Sequence, residues 1–142
     1  MITRRWRSVV LGSIAAAGLI LSGCSAARHA EPTGHATAGG VTVTITLLPG
    51  TSDRRKLEVT FRPQQPGFHI YSTDLPAHGI DGLGIPTKIA VQGDLTAVGK
   101  PTANLAIRLL RPAGLQVEIP VYPNGPVTFT LPVRQTGHQQ RR

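Results

Sequence analysis

Cysteine is almost missing from this chain: of 142 residues only Cys24 carries a thiol. Chemistry that passes electrons through a pair of cysteines therefore has nothing to run on, because thiol–disulfide exchange needs a thiolate and a disulfide partner. Methionine is limited to Met1, so the soft ligands a copper carrier uses are also lacking. There are only seven acidic residues against fifteen Lys and Arg. Paired carboxylates for glycoside cleavage would have to be drawn from those few, one of them the linker residue Glu31. Aromatic residues make up 4% of the chain, and the one tryptophan is Trp6. A core must then be built from Val, Ile and Leu around Phe61, Phe68, Tyr71, Tyr122 and Phe129. A nucleic-acid surface would need a basic stripe interleaved with aromatics. The one basic cluster, Arg54-Arg55-Lys56, falls in a turn, and nucleic acid is excluded as a partner.

Long apolar runs are scarce as well. The longest, Val9 to Leu21, follows the basic Arg4-Arg5-Trp6-Arg7 and is short of the roughly 20 residues a helix needs to cross a bilayer. It has the form of a secretory signal. The run ends in Leu21-Ser22-Gly23-Cys24, which resembles the lipobox of bacterial lipoproteins. That resemblance implies that Cys24 receives a diacylglyceryl group and becomes the first residue of the mature chain. Two acyl chains anchor stably where one binds only marginally. Thr3-Arg4-Arg5 touches on a twin-arginine signal, but Arg7 stands where that pathway wants an apolar residue, which favours general secretion. Residues 1–23 are then the signal, and the domain is expected at the extracytoplasmic face of a bacterial membrane. The net charge of +8 falls to +5 without Arg4, Arg5 and Arg7, and to +3 without Arg141 and Arg142. Such a mildly basic surface suits a neighbourhood of anionic lipid.

Residues 24–40 are small and polar without period, the pattern of a flexible tether. His29 and His35 within it have no framework of other ligands and are read as solvated. From Val41 onward the period is two. Val41, Val43, Ile45 and Leu47 alternate with threonines, and Leu57, Val59 and Phe61 alternate with polar residues. Further strands are predicted at Phe68–Tyr71, at Ile89 and Val91, at Leu105–Leu109, at Leu115–Val121 and at Val127–Val133. Pro120 and Pro132 predict that their strands lie at an edge or beside a bulge. About seven strands over residues 41–135, with Gly and Pro between them, predict an all-β antiparallel sandwich. A basic tail, 136–142, follows.

The long connection Ser72–Pro86 holds Gly79, Gly82 and Gly84. A phosphate cradle would need a helix after those glycines, and Pro86 with a strand pattern follows instead. Pro66-Gly67-Phe68-His69-Ile70-Tyr71-Ser72, with Gly84-Ile85-Pro86-Thr87 downstream, resembles the N-terminal extracytoplasmic domain of DsbD-type disulfide reductases. The resemblance runs loosely from Leu47 to Gln135 and implies an immunoglobulin-like sandwich. It does not carry the redox chemistry across. Members relay electrons through a cysteine pair, and here Gly137 follows Arg134-Gln135-Thr136 where the first thiol would stand.

What remains is a non-enzymatic binding module. Long loops on rigid sandwiches carry binding, which points to His69, Tyr71, Asp74, His78 and Asp81 as the interaction surface. Two alternatives stand beside it. One is a divalent-metal site made by His69, Asp74, His78 and Asp81; against it, Asp74 and Asp81-Gly82 also read as plain turn formers. The other is a cysteine-less accessory subunit of a redox membrane protein. Ser72 has no nucleophile elbow around it, so serine hydrolysis is not expected. No cofactor is implied. The expected partners are the membrane, through Cys24, and another protein.

Overall fold

The structure, a computed structural model, describes residues 32–136. The signal, Cys24, His29 and the basic tail beyond Thr136 lie outside the described residues. Nine strands and no helix occur in this range: β1 Pro32–Ala38, β2 Val41–Leu47, β3 Arg55–Pro63, β4 Ile70–Tyr71, β5 Leu95–Ala97, β6 Thr102–Ala103, β7 Arg108–Leu110, β8 Ile119–Tyr122 and β9 Val127–Gln135. They form two antiparallel sheets. The larger runs β1-β2-β3-β9-β5, with β6 also on β9, and the smaller runs β4-β8-β7. The chain crosses between the sheets after β3, β4, β6 and β8, giving an all-β, sandwich-like fold.

The large sheet follows directly from the period of two. Its registers pair Leu47 with Leu57, Ile45 with Val59 and Val43 with Phe61. On the other side of β3, Leu57 meets Leu131, Val59 meets Phe129 and Phe61 meets Val127. One face is therefore continuously apolar, and the opposite face carries Thr42, Thr44, Thr46, Thr60, Thr128 and Thr130. Thr60 and Thr128 hydrogen-bond across that outer face at 2.8 Å. Phe129, 0% exposed, sits where the sheets meet, with Phe61 and Tyr122 edge-on to it at 5.7 and 5.2 Å.

Strand β1 occupies the second half of the expected tether. Its Gly34, Ala36 and Ala38 lie opposite Ile45, Val43 and Val41, extending the apolar face with small side chains. Gly39 and Gly40 both take positive φ (57° and 73°), the conformation a two-residue hairpin turn demands. The Gly-Gly signal was there; Pro32–Ala38 simply lacks the large apolar residues that mark a strand.

Other expected strands are shortened or displaced. Ile89 and Val91 make no ladder; they pack as irregular chain on the core side, because the β9 edge is already taken by β5 and β6. Ordered pairing starts only at Ile70, Arg108 and Ile119 in the third, fifth and sixth predicted strands. The prolines lie in interior strands rather than edges, because each faces a place where its neighbour stops. Pro132 accepts from Val98 N–H at 3.0 Å beside the break between β5 and β6, and Pro120 accepts from Ser72 N–H at 3.0 Å just past the end of β4.

Candidate functional site

The small sheet is apolar on both faces. Pairing of Ile70 with Tyr122 puts those two on the side of the large sheet, where they join Val127 and Phe129. Tyr71 pairs with Val121, which also pairs with Arg108, and Ile119 pairs with Leu110. These share the opposite face. The Ser72–Pro86 connection covers it: Leu75, Ile80 and Leu83 pack with Ile119, Val121, Tyr71 and Leu110.

The connection is held as firmly as a strand. Ser72 is fully buried, and its Oγ accepts from the Asp74 N–H at 3.1 Å. Gly79 N–H donates to Pro76 O at 2.9 Å. Ile80 and Leu83 exchange two hydrogen bonds of 2.9 Å around Asp81 (φ 51°) and Gly82 (φ 77°), a tight turn with both central residues left-handed. A side chain at Gly79 would run into the Leu83 and Gly84 carbonyl oxygens. Gly84 lies against the Tyr71 ring, and Thr87 Oγ1 donates to Tyr71 O at 2.6 Å. The glycines thus serve the backbone, and the two stretches on which the resemblance rests meet here in space.

The five residues expected to form the surface differ in exposure. Asp74, His78 and Asp81 are exposed, Asp74 and Asp81 at turns. Tyr71 is half-buried in the capped face. Among the described residues no three of His, Cys, Asp and Glu gather into a group able to hold a metal ion. Ser72, locked in its turn, offers no exposed nucleophile.

Two of the five line concavities, His69 a groove at one end of the small sheet and Asp74 a smaller one. A groove of about 420 Å³ is lined by His69, Arg108, Leu109, Leu110, Val121, Pro123 and Asn124. It sits where the capped face of the small sheet runs out from beneath Leu75, Ile80 and Leu83. His69 Nδ1 is buried in the groove wall without a hydrogen-bond partner, an arrangement that ordinarily calls for one. Among the described residues Arg108 makes no ion pair, whereas its neighbour Arg111 pairs with Glu118. The groove therefore presents apolar walls, a guanidinium, an amide and the His69 ring, whose Nδ1 is itself buried. That set can bind an amphipathic group; it contains no nucleophile placed beside a base.

Arg108, Leu109, Leu110, Pro123 and Asn124 were not legible as site residues. The signal was faint: Arg108 interrupts the Leu105, Ile107, Leu109 alternation only on its polar register, and Pro123-Asn124 reads as an ordinary turn. A smaller groove of about 290 Å³ is lined by Asp74, Thr87, Lys88 and Lys100 among others. No protein-family profile, no curated protein and no solved structure matches the chain.

Proposed function

We propose that this chain is a membrane-anchored extracytoplasmic lipoprotein whose β-sandwich binds a partner rather than catalysing a reaction. The anchor rests on Leu21-Ser22-Gly23-Cys24, and the immunoglobulin-like character of the sandwich on the motif around His69–Tyr71. The observation that carries the binding reading is the groove at the end of the small sheet, where Arg108, without an ion pair among the described residues, adjoins apolar walls and the His69 ring. A concave apolar surface with a few polar groups is the usual form of a binding site.

Two measurements test it. Labelled fatty acid should enter the wild-type protein and not Cys24→Ser; equal labelling of both ends the lipoprotein reading. A photo-crosslinking residue at Asn124, in the groove, should give adducts in native membranes that the same residue at Thr44, on the outer threonine face, does not. Equal adducts at the two positions, or none at Asn124, would remove the binding reading.

A further inference from the structure

The two edges of the small sheet are finished differently. Ser72 N–H bonds Pro120 O, so Pro120 directs its backbone toward the β4 side. Alternation along β8 then turns Ile119 and Val121 toward β7, making Arg108–Val121 and Leu110–Ile119 the hydrogen-bonded pairs. On the β4 edge, the outward carbonyl of Tyr71 is taken by Thr87. On the β7 edge, Leu109 points its N–H and C=O away from the sheet, and no bond among the described residues takes them up. Leu109 is 56% exposed, and the irregular chain leading into the strand exposes Ile107 (48%) and Leu105 (37%). Natural edges are covered, bulged, charged or kept very short; β7, at three residues, is short, and its one outward-facing residue is uncovered among the described residues.

We propose that β7 receives an extended peptide of alternating apolar and acidic residues as a fourth strand of the small sheet. The inference rests on the binding reading above and names its partner class. The peptide residue opposite Leu109 exchanges both hydrogen bonds with it and lays its side chain against Leu109. The residues on either side project onto the face of Arg108 and Leu110, where an acidic group reaches the Arg108 guanidinium at the mouth of the groove. Charge decides between occupants. A second copy paired symmetrically about Leu109 would set Ile107 against Arg111 and bring no acid to Arg108, whereas an acidic strand supplies the missing anion.

The test uses the full chain in detergent solution and a dye-labelled peptide of about eight residues alternating valine and glutamate, with a lysine-for-glutamate peptide as control. Fluorescence anisotropy should show the acidic peptide binding about fivefold more tightly than the basic one, with the Leu109 amide resonance shifting on addition. Arg108→Glu should reverse that preference. Leu109→Pro removes the outward N–H together with the leucine side chain and should abolish binding while leaving the melting temperature near wild type; if that variant does not fold, the charge reversal at Arg108 decides. Equal affinity for both peptides, unchanged binding in Leu109→Pro, or no binding by either peptide would each overturn strand addition. So would concentration-dependent dimerisation abolished by Leu109→Pro, which would make a second copy the occupant. If the peptides fail while the Asn124 adducts persist, strand addition falls and the binding reading stands; if both are lost, both fall.

Discussion

The two sheets solve the burial problem in opposite ways. The large sheet spends its alternation cleanly, one face apolar and the other threonine-rich, and needs cover on a single side. The small sheet is apolar on both faces, so it needs the large sheet beneath and the Ser72–Pro86 connection above. What reads as a long surface loop is therefore in part a lid of core, and the proposed binding groove lies where that lid ends, at His69 and Arg108. A long connection without regular structure carries binding only if its side chains are not already committed to packing.

Substitutions can break or sharpen this contrast. The largest effect is expected at Phe129, fully buried between the sheets: Phe129→Ala should cost about 3–5 kcal/mol in urea unfolding, and both sheets should be lost in one transition. Next comes the lid. Leu75→Ala should destabilise by about 2–4 kcal/mol if the connection is core. A shift within about 0.5 kcal/mol, the response of an ordinary surface position, would return it to the status of a free loop. Gly79→Ala combines a left-handed φ of 74° with carbonyl oxygens that a Cβ would strike. It should cost about 1–3 kcal/mol. Gly82→Ala has the strained φ but open space, and should lose less by thermal melting. The smallest change belongs to the threonine face, where the double variant Thr60→Val, Thr128→Val replaces both members of one hydrogen bond. It should leave the denaturation midpoint nearly unmoved.

The middle of the large sheet was readable because its apolar residues repeat at two and are paired by residues of the same class; Val41–Leu47, Leu57–Phe61 and Val127–Val133 appear as strands at those places, whereas β1, β5 and β6 have too few large apolar residues to mark them. The small sheet was harder. A strand buried on both faces loses its alternation, and Ile119-Pro120-Val121-Tyr122 carries three buried residues across both registers. Leu105, Ile107 and Leu109 alternate in sequence, but only Arg108–Leu110 forms a strand and residues 104–109 are all exposed, because sequence period suggests a shared face without saying whether a strand forms there or anything covers it. The site was legible only at His69. Arg108 and Asn124 come to it from distant parts of the chain through the β4-β8-β7 pairing, and pairing order between short strands leaves no local mark.

One consequence of β1 concerns height. With lipid on Cys24, the chain has only the eight steps from Cys24 to Pro32 before it enters the sheet. Fully extended, that covers at most about 28 Å. On the proposed lipoprotein reading the sandwich would be leashed within about one small-domain diameter of the bilayer, and any partner would have to reach it in that shallow layer.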